Sequence, residues 1–349
     1  IEITPHAKTY DGKPANTPFT ITLNEGEVYY VVSEQATDNG NKDSDDSKYK
    51  CLSGSYVKAT DGKKIAVFNG DICTRTPNGV SARDINYEQA MPTDYWGTEF
   101  VITRSLEKDA NRFRITAMED GTQVEINGHY FTTINARETY EIELAVAPDM
   151  KNFDLDTKNQ IIADVAYIKT SCPCAVYNYD TGNSYKSKSA TEMKYDYGDP
   201  SMTWVSPIQQ KIGEITFGVM NTNKTTKHFV NIVTLTSDIA SVELQEVNYG
   251  QYSNNLITPA VFKPVPSNPR YSYARLKLTE NTNTTYHIKN KTGFIAHVYG
   301  NGDDESYAYS VGSSAVKRGV AVDGENYTEG YISETVYCIG TEFSFDAQV

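Results

Sequence analysis

Residues 113–129 read FRITAMEDGTQVEINGH and carry two hairpin signals in succession. Apolar and polar residues alternate on both sides of the first turn, which is typical of strands with one buried face. Asp120-Gly121 and Asn127-Gly128 are dipeptides that favour tight turns between antiparallel strands. The stretch therefore predicts strand, turn, strand and turn, the succession found in antiparallel sheets.

Similar alternating or β-branched runs recur along the whole chain. They predict strands over Phe19–Leu23, Val28–Ser33, Lys64–Asn69, Phe100–Thr103, Arg112–Met118, Thr122–Ile126, Tyr140–Leu144, Ile161–Lys169, Ala175–Tyr179, Phe229–Leu235, Val242–Val247, Tyr271–Leu278 and Phe294–Tyr299. Helical patterns are scarce: Val80–Gln89 favours a short helix and Gln209–Gly213 a turn. The sequence predicts an all-β fold of tandem antiparallel β-sandwich-like repeats, with a barrel or propeller-like arrangement as the alternative.

One pattern occurs twice, about 110 residues apart, and weakly a third time. Residues 22–31 (TLNEGEVYYV) match residues 133–142 (TINARETYEI), residues 66–71 (AVFNGD) match residues 175–180 (AVYNYD), and residues 296–303 (AHVYGNGD) resemble the second pair. A period of this length is domain-sized, far longer than that of a solenoid. It predicts β repeats at 1–95, 96–205 and 206–315, followed by a C-terminal extension, 316–349, whose strands pack back on the body.

The chain is acidic, with 45 acidic and 32 basic residues among 349 and a net charge of −13. Nucleic acid is not expected as a partner, because a phosphate backbone requires a basic footprint, and an anionic membrane surface is disfavoured for the same reason. No run of 18 apolar residues exists that would span a bilayer. The sequence opens at Ile1 without Met, as expected of a mature extracellular or cell-surface chain whose signal segment has been removed.

The chain has five cysteines: Cys51, Cys73, Cys172, Cys174 and Cys338. The number is odd, so at least one is free or pairs between chains. Cys172-Pro-Cys174 is C-x-C rather than the C-x-x-C of redox or zinc sites, and Cys174 beside an apolar strand predicts a buried thiol. A bridge between Cys51 and Cys73 stays open, as does the pairing of the others.

Two acidic segments are the candidate metal sites. Residues 38–46, DNGNKDSDD, cluster the carboxylates and carbonyls that calcium prefers, but they lack the complete EF-hand pattern. A solvated loop is the favoured interpretation, and residues 301–305 carry the same ambiguity. The five histidines show no metal-ligand spacing. The expectation is a protein without a cofactor, calcium being the one that stays open.

Catalytic motifs are absent from the sequence, so no catalytic residue is predicted. G-x-S-x-G, the P-loop, H-E-x-x-H and the dinucleotide fingerprint do not occur. Paired carboxylates for glycoside hydrolysis stay possible, although 45 acidic residues make some proximity uninformative. The sequence therefore favours a protein that is not an enzyme.

A series of motifs spread over residues 60–312 is familiar. In order they are Gly62-Lys-Lys-Ile-Ala-Val-Phe-Asn-Gly70 with Cys73, Gly79-Val-Ser-Ala-Arg-Asp84, Glu88-Gln89 and Pro92, Trp96-Gly-Thr-Glu-Phe100, Asp120-Gly-Thr122, Gly198-Asp-Pro-Ser-Met202, Tyr271-Ser-Tyr-Ala-Arg275, and Gly293-Phe294 with Tyr299-Gly300. Through them the chain resembles the N-terminal domain of the IgG Fc-binding protein family. Related modules occur in secreted mucus proteins and bacterial surface proteins, so the resemblance implies an extracellular binding role.

One position departs from the family. Where this chain has Arg83, the family typically has a cysteine, expected to pair with the equivalent of Cys73. The resemblance therefore leaves Cys73 to pair elsewhere, with Cys51 for example, or to stay free. No residue of this sequence can be tied to IgG binding. Trp96 is expected to pack between units, and Gly198–Met202 to form a turn before Trp204.

Charge, motifs, repeats and resemblance together predict a non-catalytic, extracellular or surface-attached adhesion protein that binds a protein or a glycan. The alternatives are a carbohydrate-active enzyme or its accessory module, and a structural spacer of a larger surface protein. Three variable segments lie between the repeat anchors: the acidic loop near Asp43, residues 180–200, and residues 249–269. They are the expected recognition elements, aided by exposed tyrosines, of which the chain has 26 in all.

Overall fold

The computed structural model describes residues 1–34, 51–77, 80, 82–146, 157–182, 198–220, 222, 224–278, 284–302 and 305–314, and the backbone of 319–322, 325–328 and 345–347. About 54% of the chain is strand and about 7% is helix, so the predicted all-β fold is confirmed. The helical residues described are short 3-10 segments at Thr93–Tyr95, Thr157–Asn159, Ile208–Gln210, Thr236–Ser241 and Pro259–Val261.

Five short strands form the N-terminal region: β1 (Glu2–Thr4), β2 (Phe19–Thr20), β3 (Tyr56–Lys58), β4 (Phe68–Thr74) and β5 (Asp84–Gln89). Strand β1 pairs antiparallel with β2 and with β3, which makes the first sheet. Strands β4 and β5 pair with each other and form a separate ribbon. This region is thinly covered, since every residue of β4 but the last is exposed.

Two expectations for this region are wrong. The helix expected over Val80–Gln89 is the strand β5, because its residues alternate between two faces: Ile85 and Tyr87 are exposed, whereas Asn86 is buried. The strand expected over Val28–Ser33 forms only an isolated bridge between Thr9 and Ser33. Its exposed side chains bury too little surface to hold a strand in place.

The second sheet contains eight strands. They are β6 (Gly97–Thr103), β7 (Ala110–Ala117), β8 (Thr122–Ile126), β9 (His129–Ile134), β10 (Thr139–Ala145), β11 (Gln160–Ile162), β12 (Val165–Asp180) and β13 (Ser201–Trp204). Both turns of the opening stretch are present, since Gly121, Asn127 and Gly128 all have positive φ. The pairing is antiparallel throughout except between β10 and β11.

Strand β12 bends in its middle and serves both halves of this sheet. Before the bend it pairs with β6 and β8, and after the bend with β7 and β13. The register shifts between Lys169 and Cys174, where the Cys172-Pro173-Cys174 segment lies. Proline tolerates such an irregularity because it has no N–H to contribute to a ladder. The C-x-C motif therefore marks a bend in the backbone.

The third sheet repeats this pairing plan with β14 (Ile212–Gly218), β15 (Thr225–Leu235), β16 (Glu243–Asn248), β17 (Gln251–Tyr252), β18 (Lys263–Val265), β19 (Asn268–Lys277), β20 (Thr285–Gly302) and β21 (Ser306–Ser310). The long strand β20 pairs first with β14 and β16, then with β15 and β21. It thus occupies the position that β12 holds in the second sheet. The division of the chain at 96–205 and 206–315 stays a prediction.

Each of the two large sheets curls around its own apolar core. Phe100, Phe113 and Ile168 lie in the core of the second sheet, and Phe294, Tyr286 and Val230 in that of the third. A further apolar cluster joins the two sheets, with Val101, Val165 and Tyr167 packed among Val233, Tyr271, Tyr273 and Ile295. Polar contacts extend this junction: Asp164 accepts a hydrogen bond from Arg104 at 2.6 Å and forms an ion pair with Arg275.

The repeated pattern T-x-N-x-x-E corresponds to a shared turn. In the first copy the backbone N–H of Asn24 donates to the Glu27 carboxylate at 2.7 Å, and the N–H of Glu27 donates to the Asn24 carbonyl at 3.1 Å. Asn135 and Glu138 make the same two bonds at 2.9 and 3.0 Å. The strands around the turns differ, because β1 pairs with residues 56–58, whereas its counterpart β7 pairs with residues 174–180. The shared turn therefore lies among differently paired strands in the two copies.

The C-terminal extension contributes β22 (Gly319–Val322), β23 (Glu325–Thr328) and β24 (Phe345–Ala347), which form a small antiparallel sheet. Its predicted packing on the body lies outside the described residues.

Candidate functional site

The hairpin β16–β17 presents a tyrosine at its tip. Tyr249 and Gly250 form the two-residue loop, both with positive φ, +50° and +77°. The Tyr249 side chain is fully exposed to solvent. A non-glycine residue rarely adopts this left-handed conformation, and asparagine is tolerated there better than tyrosine. The tip therefore combines unfavourable backbone geometry with an unburied aromatic ring.

The corresponding hairpin of the second sheet has asparagine at this position. Asn127 and Gly128 join β8 to β9 with φ of +53° and +79°. The Asn127 Oδ1 atom accepts hydrogen bonds from the Tyr167 backbone N–H at 3.0 Å and from Ser267 Oγ at 2.9 Å. In the second sheet the first residue of the turn, Asn127, is thus held by hydrogen bonds to distant parts of the chain. In the third sheet the exposed Tyr249 at this position gives the turn no such support.

We expect Tyr249→Asn to stabilise the protein by about 0.5–1 kcal/mol, because asparagine tolerates the left-handed backbone better. Urea unfolding at constant pH measures the change. The reciprocal variant Asn127→Tyr is the control and should destabilise by about 1–3 kcal/mol, since it also removes two hydrogen bonds. A Tyr249→Asn protein no more stable than the parent would show that the tyrosine backbone is unstrained.

The segment after the hairpin is held rigidly against β16. Asn255 Oδ1 accepts hydrogen bonds from the N–H groups of Leu244 and Ile257, and Asn255 Nδ2 donates to the Val242 carbonyl. The Ser253 hydroxyl accepts the N–H of Glu246 at 3.0 Å. Ile257 and Phe262 anchor the segment in the core of the third sheet. The backbone is therefore fixed although no strand follows immediately.

This fixed segment exposes apolar side chains. Tyr252, Leu256 and Val261 are exposed together with Tyr249. Tyr252 packs edge-on against His287 with ring centroids 5.1 Å apart, and His287 Nε2 lies 2.7 Å from Glu214 Oε1. We call Tyr249, Tyr252, Leu256 and Val261 the hairpin surface. Rigid backbone with exposed aromatic groups is typical of recognition surfaces, because little entropy is lost on binding.

The other two predicted recognition segments are only partly visible. The acidic loop near Asp43 falls in residues 35–50, and most of the 180–200 segment falls in residues 183–197, both outside the described residues. Where the second segment begins, Asp180 is buried and accepts hydrogen bonds from Ser105 and Ser201 at 2.7 and 3.0 Å. Asp180 therefore belongs to the interior of the fold.

Where the second segment ends, the Gly198–Met202 motif has a packing role. Gly198 has a φ of +76°, and a side chain there would collide with Glu305 and Ser306. The motif leads into β13, whose four residues are all buried. Trp96 is partly buried, its ring N–H donates to the Met91 carbonyl, and β6 begins at the next residue.

The described residues hold no cluster of three or more His, Cys, Asp or Glu side chains that could bind a metal ion. Both calcium candidates are incompletely covered, since residues 38–46 and 303–304 lie outside the description. The expectation of a protein without a cofactor, with calcium left open, stays a prediction. His297 is partly buried, lies 3.3 Å from Asn231 Nδ2, and has its pKa lowered to about 4 by desolvation, although the charge of Asp180 opposes this. It is a neutral, packed histidine.

The family assignment follows from a sequence profile. The profile of the IgGFc binding protein family matches residues 1–300. The chain belongs to this family. IgGFc binding proteins form a binding family and not an enzyme family. No curated protein matches the chain.

Similarity of this IgGFc binding family member to solved structures is weak. The Pleurotus ostreatus lectin shares 10% identity over 61% of this chain and 77% of its own, with a TM-score of 0.16. An anti-sigma factor domain-containing protein from Clostridium clariflavum shares 13% over 67% and 94%, with a TM-score of 0.18. A GH2 β-galacturonidase from Eisenbergiella tayi shares 10% over 74% and 44%, at 0.15. TM-scores this low carry no argument about fold or function.

One disulfide that the sequence leaves open, between Cys51 and Cys73, is absent from this family member. Cys51 and Cys73 are both free, so the bridge between them is not formed. Cys73 is exposed on β4, whereas the thiol of Cys51 contacts Ser53 near the second sheet. Cys172 is free, and Cys174 is a buried thiol as predicted, with its pKa raised to about 12 by burial. Cys338 lies outside the described residues.

Glu88, whose pKa is raised, is the described carboxylate at which a glycosidase-type pair would be expected, and it does not form one. Glu88 has its pKa raised to about 7 by burial, against the effect of a hydrogen bond from the Trp204 backbone N–H. Trp204 and Tyr177 lie beside it with ring centroids 5.4 Å apart. Among the described residues, no second carboxylate contributes to this pKa. Glu88 is thus an isolated acid between strands and lacks the partner that such hydrolysis requires.

Sequence reasoning missed a second apolar surface, on the ribbon. Phe68, Ile72, Ile85 and Tyr87 are all exposed, and the rings of Phe68 and Tyr87 stack at 5.4 Å. The period-2 alternation of Ile85 and Tyr87 was the available signal. The helix expected over Val80–Gln89 does not account for this exposed face.

Proposed function

We propose that this protein is an extracellular or cell-surface adhesion protein that binds a protein ligand through the hairpin surface and needs no cofactor. The fold supplies a rigid all-β body, and family membership supplies the class of activity, which is binding. The described residues include no helix long and apolar enough to cross a membrane. The proposal includes attachment to a bacterial surface as part of a larger protein.

The exposed, left-handed Tyr249 is the observation that carries the proposal. A hairpin loop that asparagine would stabilise instead holds an aromatic residue that contacts no core. Backbone strain of this kind is found where a side chain is needed for a function other than folding. Tyrosine is also among the residues that dominate the energetics of protein interfaces. The matching loop of the second sheet, with Asn127, carries no such strain signal.

The charge of the chain narrows the ligand. A net charge of −13 favours a ligand surface that is basic or neutral at its rim, because like charges slow association. Tyr252, Leu256 and Val261 contribute exposed apolar side chains to the hairpin surface. Apolar side chains with aromatic anchors fit a folded protein ligand. IgG Fc is the first ligand to test, because the family is described by it.

The test is binding of the whole chain to immobilised IgG Fc, mucins and matrix proteins, compared with Tyr249→Asn. We expect the variant to bind at least about 30-fold more weakly, the loss of an interface hot spot, while its stability rises. Opposite changes in binding and stability separate recognition from folding. Repeating the assay with a calcium chelator tests whether a cation takes part.

Tyr130→Asn is the matched control. Tyr130 is likewise exposed and lies two residues after the hairpin tip of the second sheet, at the position that Tyr252 holds in the third, so its substitution removes an exposed tyrosine of the other hairpin. Its substitution should leave binding within about twofold of the parent. Equal losses in both variants, or unchanged binding in Tyr249→Asn, would refute the hairpin surface. Binding on a glycan array alone, or cleavage of a polysaccharide, would refute the protein-ligand proposal.

A further inference from the structure

Among the described residues, strand β4 of the ribbon pairs only with β5 and has its other edge free. Six of its seven residues are exposed, with Phe68 at 51% and Ile72 at 79% exposure. Strands with an open edge and apolar side chains readily accept another strand. The strand contains neither lysine nor proline, which commonly protect such edges, and its bulge lies after Asp71, so residues 68–71 remain a regular edge.

The two large sheets show what lies at the equivalent edge. Residues 66–71 match residues 175–180 in sequence, and residues 176–180 of β12 lie between β7 and β13. Residues 298–301 of β20 lie likewise between β15 and β21. In both cases these residues are largely buried. The ribbon has a counterpart of β13 in β5, and the position of β7 beside β4 is open.

Alternate residues of β4 direct their backbone groups away from β5. The Val67 carbonyl accepts the N–H of Ala90 at 2.8 Å, so odd-numbered residues up to Asp71 bond across the ribbon. In an antiparallel ladder the residues between them point the other way. Phe68 and Gly70 therefore present their N–H and C=O groups to the free edge, and Ile72 lies where a bulge begins, because the register with β5 shifts between Asp71 and Thr74.

The sequence of this edge is symmetric about Gly70. Residues 68–72 read Phe-Asn-Gly-Asp-Ile, which is apolar, polar, glycine, polar, apolar in either direction. Such a pattern is complementary to itself in an antiparallel pairing with a two-fold axis. We propose that β4 pairs with β4 of a second copy of this chain, with Gly70 on the axis. The two ribbons then form a four-stranded sheet in the order β5, β4, β4, β5.

This register pairs backbone and side chains together. Gly70 exchanges backbone hydrogen bonds with Gly70 of the second copy, and Phe68 lies opposite Ile72 of that copy. Phe68 stacks on Tyr87 and meets Ile72 of the other copy on one face, which extends the exposed apolar surface across the axis. Asn69 lies opposite Asp71 on the other face. Within one chain a side chain at Gly70 would collide with the Asn86 carbonyl of β5, so glycine is needed there already, and it also leaves the axis free of side chains.

Local charge permits this contact despite the acidic chain. Residues 56–89 carry five basic and four acidic side chains, so the excess of acidic residues lies elsewhere. Ribbons of nearly neutral charge can approach each other, whereas the remaining surfaces repel. The symmetric sequence and the local neutrality favour a second copy over an unrelated strand.

The first test is the association state of the whole chain by sedimentation velocity, up to concentrations on the order of 100 µM, because an interface this small is weak. The parent should form a dimer, and Ile72→Lys should weaken it about tenfold or more by placing a charge in the pairing. Ile162→Lys is the matched control, since Ile162 is also exposed on an edge strand, β11. It should leave the dimer unchanged.

The second test fixes the register with Asn69→Cys chains mixed with Asp71→Cys chains, both also carrying Cys73→Ser. In the proposed pairing residue 69 faces residue 71 of the other copy in a non-hydrogen-bonded pair, with Cα atoms about 4.5 Å apart, which suits a disulfide. Both positions lie before the bulge of β4. Mild oxidation of the mixture should therefore yield a covalent dimer linked between residues 69 and 71, as read by mass spectrometry of the peptides, and neither variant alone should form this link.

Several results would overturn the proposal. A parent chain that stays monomeric and a mixture of Asn69→Cys and Asp71→Cys chains that forms no link between residues 69 and 71 exclude the dimer. A dimer that Ile72→Lys leaves intact places the interface elsewhere. Loss of ligand binding in Tyr249→Asn does not bear on these measurements, so the proposals stand or fall separately.

Discussion

Glu88→Gln is expected to stabilise the protein by up to about 3 kcal/mol at pH 8 and by almost nothing below pH 4.5. Glu88 lies on the inward face of the ribbon, beside buried Asn86 and next to Trp204 of the second sheet. Its pKa is raised from 4.5 to about 7, because burial disfavours the carboxylate and the Trp204 N–H only partly offsets this. Glutamine keeps the shape and removes the charge.

The direction of the pH dependence follows from this raised pKa. The folded protein holds the Glu88 proton more tightly than the unfolded chain does. The contribution to stability is therefore complete below the unfolded pKa of 4.5 and is lost as pH rises through the folded pKa of about 7. Above pH 7 the parent carries a partly buried carboxylate without a cation among the causes of its raised pKa, and the variant lacks this charge. The difference between the two proteins should grow across this window.

Urea unfolding at pH 4.5, 6 and 8 measures the effect on the whole chain, and amide hydrogen exchange at each pH measures it in the ribbon. If β4 and β5 open on their own, the exchange data carry most of the difference. Glu243→Gln is the control, because that side chain is partly exposed beside Lys289, and it should change stability by less than about 0.5 kcal/mol at every pH. A gain for Glu88→Gln that does not vary with pH would contradict the explanation.

The sequence predicts most strands of the two large sheets because alternation there coincides with burial. Thr122–Ile126 is predicted to the residue, and Arg112–Met118 nearly so. In these strands one side chain in two enters a core, so the pattern and the packing carry the same information. Long strands are harder to predict. The sequence of β12 predicts two strands, because Pro173 interrupts the alternating pattern, whereas the folded backbone continues through a bend as one strand.

The N-terminal region is less predictable for the same physical reason. Val28, Tyr29 and Tyr30 have the composition of a strand but stay exposed, so no burial fixes them in one. On β5 the alternation is reversed, with Ile85 and Tyr87 outward and Asn86 inward. A sequence pattern in which apolar residues are assigned to the core does not identify an apolar face that points to solvent. Such a face becomes visible only once the ribbon is placed on the body.

The sequence predicts the segment that holds the candidate site but not the backbone conformation of its central residue. Residues 249–269 stand out as a variable segment between repeat anchors, and the hairpin surface lies within them. The left-handed backbone of Tyr249 cannot be read from composition, because tyrosine is disfavoured there and Tyr-Gly is a weak turn signal. The left-handed conformation of Tyr249 becomes clear when the two hairpins are compared, because Asn127 adopts the same conformation at the same position.

Arg112→Met is expected to destabilise the protein by about 3–5 kcal/mol, because the buried carboxylate of Glu143 loses the guanidinium of Arg112. Arg112 lies on β7 directly opposite Glu143 on β10, and Arg112 Nε is 3.1 Å from Glu143 Oε2. Both side chains are buried, Glu143 completely. Gln160 Nε2 donates to the other oxygen of Glu143 at 2.6 Å, but an amide cannot neutralise a charge.

These charges form a ladder on the outer face of the second sheet. Phe113 and Ile142, between the charged residues, point into the core, so the apolar face is unchanged by the substitution. Arg114, the next step of the ladder, donates to Ser53 at 3.1 Å, which brings the N-terminal region over this face. That cover keeps water from the charged groups and makes an unpaired one costly. Loss of Arg112 should therefore loosen the N-terminal region as well as the sheet.

Urea unfolding of Arg112→Met, followed by fluorescence, measures this loss against two further variants. The double variant Arg112→Met with Glu143→Met should recover most of the stability, because a buried ion pair replaced by apolar residues leaves no unpaired charge. Lys8→Met removes the exposed pair with Glu34 and should cost less than about 1 kcal/mol. If the single and double variants were equally unstable, the cost would come from lost packing of the arginine. A recovery in the double variant assigns it to the buried charge of Glu143.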